Sequence, residues 1–200
     1  MGQVEVICMG AVVVATPATA GCDCSSQACA IANRIANGIL SHGVAAGARV
    51  GFLGLNSPDF YFSLIGTAKT RAAFIPFNWR LSVNELAQLL KDSDATLVFV
   101  EQALADLWNG AVALAGCTVQ TIWFDAERTL EAQFAAQPAT RPDLFISEED
   151  IAVQLYTSGT TGFPKGGMSM HVTNLVTTGQ SLPNNKRSTP NASNTTSRYA

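Results

Sequence analysis

The chain has 200 residues, 48% of them hydrophobic and 14% charged, with a formal net charge of −3. That length suits one domain or part of a larger one, and the acidic balance excludes the basic face that nucleic-acid binding requires. No apolar run approaches the roughly 18 residues of a transmembrane segment, so a soluble protein without a membrane span is expected.

The opening, MGQVEVICMGAVVVATPATAGC, imitates an export signal, with an apolar run at residues 11–15 ahead of the small residues Ala18, Thr19 and Ala20. Its flanks do not fit. Glu5 stands where a basic region belongs, and the first Lys or Arg is Arg34. Thr19 occupies the place where a lipid-attachment box wants an aliphatic residue, and Val6 the place where myristoylation wants Ser or Thr. Residues 1–26 therefore read as an atypical N-terminal segment. The five cysteines are Cys8, Cys22, Cys24, Cys29 and Cys117. The odd count argues against a disulfide framework. No second ligand pair follows the Cys22–Cys24–Cys29 cluster, and His42 and His171 lie far apart, so zinc is not expected. Reduced thiols in a cytoplasmic protein are the expectation.

Regular patterning starts near Gln27. Ala28, Ile31, Ala32, Ile35 and Ile39 recur at helical spacing up to Gly43. A buried strand follows at residues 49–54 (RVGFLG). Next comes a helix with Ser57 as cap, Pro58 at its first position, and Phe60, Leu64, Ile65 and Ala68 inward. Residues 72–76 (AAFIP) form a strand. Ser82 and Glu85 then match a capping box opening a helix with Leu86, Leu89 and Leu90. A third strand is expected at 96–100, then a helix with Leu104, Leu107, Trp108, Ala111 and Leu114 inward. Residues 118–124 and 151–157 complete five strands.

Strands alternating with helices of this length predict an α/β fold with a mostly parallel sheet flanked by helices. Ligands on such sheets bind just beyond the carboxyl ends of the strands. After residue 176 the pattern breaks. Residues 177–200 are rich in Ser, Thr, Asn and Pro and read as a disordered tail. Asn191 and Asn194 stand in glycosylation sequons, which matter only if the chain is secreted.

The stretch YTSGTTGFPKG, residues 156–166, falls directly after the fifth strand. Gly159, Gly162 and Gly166 allow close backbone approach with inward N–H groups. Thr157, Ser158, Thr160 and Thr161 add hydroxyls, Pro164 stiffens the exit, and Lys165 adds a compact cation. A polyphosphate needs this donor set. A flexible surface turn is the plainer alternative, but it gives no reason for so many hydroxyls beside a lysine. The Walker spacing is not met: five residues beyond Gly159 comes Pro164, and five beyond Gly162 comes Gly167.

YTSGTTGFPKG resembles the signature of the adenylate-forming (AMP-dependent synthetase and ligase) superfamily, which includes acyl-CoA synthetases. The following GMSMHVTNL resembles that family's continuation, where His171 and Asn174 open a helix. The likeness covers residues 30–175, and IPFNWRLS leans toward fatty-acyl-CoA synthetases. It implies the partial N-terminal domain of an adenylate-forming enzyme at residues 27–176. The implied chemistry is ATP-dependent activation of a carboxylic acid, a fatty acid by the closer resemblance. It proceeds through an acyl-adenylate with Mg2+, followed by transfer to coenzyme A. Thr157, Ser158, Gly159, Thr160, Thr161, Gly162 and Lys165 would then cradle the β- and γ-phosphates. For His171, Ser169 and Asn174, local structural roles weigh at least as heavily. Trp79 packing at the sheet edge and a solvated Arg80 are the simpler expectations for that pair.

The family's adenine-binding, metal-binding and ribose-binding motifs, and its catalytic lysine, do not appear among these residues. No catalytic residue and no metal ligand is therefore assigned. Glu148, Glu149 and Asp150 precede the fifth strand and belong at its far end. A truncated, inactive ligase fragment is the leading expectation. A non-catalytic phosphate- or nucleotide-binding module and an exported protein are the alternatives.

Overall fold

The computed structural model describes residues 4–9, 12–17, 26–147, 149–157 and 165–170. In chain order the elements are β1 (Val4–Met9), β2 (Val12–Pro17), α1 (Ser26–Ser41), β3 (Arg49–Leu53), α2 (Pro58–Ala68), β4 (Ala73–Phe77) and α3 (Val83–Ser93). They continue with β5 (Ala95–Glu101), a 3-10 turn (Gln102–Leu104), α4 (Ala105–Ala115), β6 (Gln120–Phe124), α5 (Leu130–Gln133), β7 (Ile151–Thr157) and β8 (Lys165–Met170).

Six strands form one sheet in the order β6-β5-β3-β4-β7-β8. The first five run parallel, and β8 turns back antiparallel on β7. Side-chain alternation divides the core between the two faces. Val50, Phe52, Phe74, Leu97 and Phe99 pack with Ile31, Ile35 and Ile39 of α1 and with Leu130 and Phe134. Leu53, Ile75, Phe77, Val98 and Val100 pack with Leu86, Leu89 and Leu90 of α3 and with Trp108 and Ala111 of α4. The central strands are covered on both sides, which is why RVGFL and ATLVFVE are nearly continuous apolar runs. Aromatic rings close the α1 face. Phe52 meets Phe60 edge-on at 5.3 Å and lies 5.2 Å from Phe124 between centroids.

All five expected strands are present, and the local signals act largely as their chemistry requires. Ser82 and Glu85 form the reciprocal capping box at the start of α3. Gly43 takes a φ of +78° just after α1, a left-handed conformation that glycine adopts without a Cβ penalty. Ser57 does sit at the N-cap of α2 with Pro58 behind it, but its side chain makes no capping hydrogen bond.

Several expectations are corrected. Leu114 is not inward: it is 52% exposed, while Val112 and Ala115 of the same turn pack against the core in its place. Within the segment read as atypical, residues 1–26, β1 and β2 form a hairpin registered from Val4↔Pro17 to Met9↔Val12, an arrangement the sequence reading did not anticipate. Lys165–Met170 is a strand, not singled out from the sequence, that pairs with β7 along its length, and the helix that the resemblance opens at His171 lies outside the described residues. Cys29 is disulfide-bonded rather than reduced. An odd cysteine count leaves one thiol over without preventing a pair, and Cys117 is a free thiol. The expected tail at 177–200, His171 and Asn174 lie outside the described residues.

The long connection from α5 to β7 is pinned rather than loose. Asn33 Nδ2 donates to Ala139 O at 2.8 Å, and Asn37 Nδ2 donates to Pro138 O and Thr140 O, both at 2.9 Å. Ile146 is fully buried against Ala32, Ile65 and Ala68. Arg71 then clamps the amino end of β7, its Nε and Nη2 donating to the two carboxylate oxygens of Asp150 at 2.9 and 3.1 Å. Asp150 therefore lies at the far end of the strand from YTSGTTGFPKG, as the sequence indicated.

Candidate functional site

The hydroxyl-rich loop has a defined base. β7 and β8 register as Leu155↔Gly167, Tyr156↔Gly166 and Thr157↔Lys165. Of the seven residues expected to hold phosphate, the structure brings Thr157 and Lys165 opposite each other, at the carboxyl end of β7. Ser158, Gly159, Thr160, Thr161 and Gly162 lie outside the described residues. Residues 158–164 connect the paired ends in sequence, so the backbone of Lys165 is held across from that of Thr157 by the ladder.

Gly166 and Gly167 follow Lys165 in β8. Among the described residues, the nearest neighbour of a Cβ on Gly167 would be Leu155 O at 3.9 Å. The position agrees with the general rule for parallel sheets, in which loops beyond the carboxyl ends of strands form the ligand-facing edge.

The last described side chain before the loop is Tyr156. Its hydroxyl donates to Asp92 Oδ2 at 2.8 Å and accepts from Gln154 Nε2 at 2.7 Å. Arg49 Nε in turn donates to Gln154 Oε1 at 3.4 Å. Burial, and then the bond to Asp92, raise the Tyr156 hydroxyl well above the ordinary phenol range, so it remains a donor. The sequence quoted Tyr156 but gave it no role, and Asp92 was missed altogether. One signal was available: Asp92 is an anion in the last turn of α3, where the helix dipole disfavours negative charge.

A separate cleft of about 410 Å3 opens at the carboxyl ends of β3, β5 and β6, lined among others by Ser57, Asp59, Phe62, Glu101, Phe124 and Glu131. Asp59 is 8% exposed, and Leu130 N–H donates to its Oδ1 at 2.9 Å. Burial raises the Asp59 carboxyl; the Leu130 bond opposes this, and the charges of Glu131 and Glu101 add to it. Glu101 Oε2 accepts from Leu55 N at 2.7 Å, closing the loop after β3 onto β5. None of these residues was singled out from the sequence as chemical.

Trp79 packs partly buried against the α3 and α4 side of the core, and Arg80 lies exposed with its Cζ 4.0 Å from the Trp79 ring centroid. Both agree with the simpler reading of that pair. Among the described residues, no helix is long and apolar enough to cross a membrane.

A family model described as AMP-binding enzyme matches residues 26–197. The chain belongs to the AMP-binding enzyme family. Its similarity to individual members points the same way. It is 35% identical over 144 residues to the fatty acid–[acyl-carrier-protein] ligase ScoC of Streptomyces coeruleorubidus, covering 70% of this chain and 26% of that protein. It is 33% identical over 147 residues to the long-chain-fatty-acid–CoA ligase FadD13 of Mycobacterium tuberculosis, covering 73% of this chain and 29% of that protein. The inhibitor-bound N-terminal domain of FACL13 from the same organism superposes with a TM-score of 0.65 at 33% identity, covering 73% of this chain and 37% of that one. This AMP-binding chain thus spans under a third of the length of those two curated relatives. The sheet it shares with them is the fold of the N-terminal domain of adenylate-forming enzymes.

Proposed function

We propose that this AMP-binding chain carries the phosphate-holding part of an ATP-dependent acid–thiol ligase of the acyl-CoA synthetase type. A carboxylate oxygen of the acid attacks the α-phosphorus of ATP, the bond to the β-phosphate breaks, and acyl-adenylate and pyrophosphate result. A thiolate then attacks the acyl carbonyl and releases AMP. Coenzyme A is the proposed thiol and a fatty acid the proposed acid. The name of the relative from Streptomyces coeruleorubidus makes a carrier-protein thiol the second reading.

The work of these residues is electrostatic. Thr157, Ser158, Thr160 and Thr161 supply hydroxyl donors, the backbone at Gly159 and Gly162 supplies N–H groups, and Lys165 supplies a cation. Together they would neutralise the charge that gathers on departing pyrophosphate. Mg2+ would share that charge; we assign it no ligand in this chain. A cytoplasmic location follows from ATP and coenzyme A as substrates. The disulfide at Cys29 is the feature that weighs against it.

The observation that supports this reading is the pairing of Thr157 with Lys165 at the base of a glycine- and hydroxyl-rich loop on the carboxyl end of a parallel-sheet strand. The test is titration of the purified chain with pyrophosphate and with ATP–Mg2+, alongside Lys165→Ala. The expected loss of affinity is about 10- to 100-fold, the range for one charge-assisted contact. Equal binding by the variant would remove the basis of the assignment. Pyrophosphate exchange dependent on an added carboxylic acid would favour the ligase.

A further inference from the structure

Arg49, Gln154, Tyr156 and Asp92 form a one-way chain of donors. Arg49 Nε donates to Gln154 Oε1, Gln154 Nε2 to the Tyr156 hydroxyl, and that hydroxyl to Asp92 Oδ2. The chain begins at a guanidinium and ends at a carboxylate, so each bond polarises the next. It links three elements, β3, β7 and the end of α3. Gln154, 7% exposed, is its buried centre, and Asp92 is exposed at its outer end.

The backbone explains what this chain of bonds is needed for. β7 is joined to the rest of the sheet through β4, with which it registers at Phe74↔Val153. Its other neighbour, β8, belongs to the same hairpin. Tyr156 lies three residues beyond Val153 and one before Thr157. The carboxyl end of β7, from which the phosphate loop springs, is thus tied to the last turn of α3 through the Tyr156 side chain. Its acceptor on the far side is a carboxylate in the last turn of a helix. A local preference is broken there, and such places often mark a function served elsewhere.

We infer that Asp92 is a positioning residue for the phosphate loop, acting through Tyr156 to fix the end of β7 where Thr157 and Lys165 face each other. The inference rests on the phosphate-loop reading above and names what holds that loop in register. Asp92 touches no substrate in this scheme. A helix end and a strand end are tied together, and the cradle inherits its geometry from the tie.

The test is calorimetric titration of the full chain with inorganic pyrophosphate for wild type, Tyr156→Phe, Asp92→Leu, Asp92→Asn, the double variant Tyr156→Phe with Asp92→Leu, and Lys165→Ala. Thermal unfolding is measured on each. Tyr156→Phe and Asp92→Leu should each weaken pyrophosphate binding about tenfold, as expected when positioning rather than a ligand contact is lost. The double variant should be no weaker than the worse single one, because both break one bond. Asp92→Asn keeps an acceptor oxygen for the tyrosine hydroxyl and should restore most of the affinity.

A purely structural tie would lower the unfolding midpoint and leave affinity alone, and that result overturns the inference. So does binding that depends on Lys165 but not on Tyr156 or Asp92. Wild-type binding that is absent, or unchanged in Lys165→Ala, instead overturns the phosphate-loop reading, and this inference with it.

Discussion

Gly38 and Gly110 both lie inside helices, where alanine in place of glycine ordinarily stabilises by about 1 kcal/mol. Their surroundings predict opposite outcomes. A Cβ on Gly38 would run into the Phe134 ring, with Cγ at 2.9 Å and the outer ring atoms closer still. Phe134 is 6% exposed and stands edge-on to Phe99 and to His42, with centroids 6.3 and 6.4 Å away, so it has little room to swing aside. Overpacking of this kind costs about 1–3 kcal/mol, which offsets the helix gain and leaves a net loss near 1 kcal/mol. On Gly110 the same atom would meet, among the described residues, the Val83 methyls at 3.3 and 3.4 Å. Val83 is 37% exposed and can turn, so most of the gain survives. The two variants should therefore differ by about 2 kcal/mol, or roughly 4–8 °C in unfolding midpoint for a chain of this size. Thermal and urea unfolding followed by circular dichroism measure this, with Gly38→Ala below wild type and Gly110→Ala at or above it. If both variants rise together, the packing of Phe134 onto α1 is not as described.

Two other predictions concern buried polar groups. Because burial raises the Asp59 carboxyl above its ordinary value of 3.8, the stability it contributes is present below that pH and is lost as pH rises through the folded value. Asp59→Asn stays neutral and keeps an acceptor for Leu130 N–H, so its midpoint should gain on wild type as pH rises above the ordinary carboxylate value; a gap independent of pH would contradict this. Trp108 is 2% exposed, and its indole N–H donates to Thr121 Oγ1 at 3.1 Å. Trp108→Phe should cost about 1–3 kcal/mol in urea unfolding from the lost bond and the space left behind. A change under about 0.5 kcal/mol, the usual range for surface sites, would mean the indole is not the anchor between α4 and β6.

Legibility followed the range of each signal. The Ser82–Glu85 box, Pro58 after Ser57 and Gly43 after α1 are local, and each appears where the spacing put it. Leu114 lies three residues beyond Ala111 but ends up exposed, because the buried stripe of α4 runs through Trp108, Ala111, Val112 and Ala115 and leaves Leu114 at its flank. β8 was invisible for a related reason. KGGMSM has little strand propensity of its own and becomes a strand by pairing with β7. Cys29 shows the limit of counting, since an odd total does not say which thiols meet.

Composition and periodicity were enough by themselves to determine an α/β sheet and its five parallel strands, and to mark a donor-rich stretch of sequence after the last of them. These properties are set within windows of a few residues, where side-chain alternation and backbone freedom act directly. Only the tertiary structure decided that Lys165 is held across from Thr157, that Asp92 reaches Tyr156 from another element, and that Asp59 lies buried beneath Leu130. Each of those contacts joins positions far apart in the chain or across a turn, and no short-range preference specifies a partner that folding must first bring near.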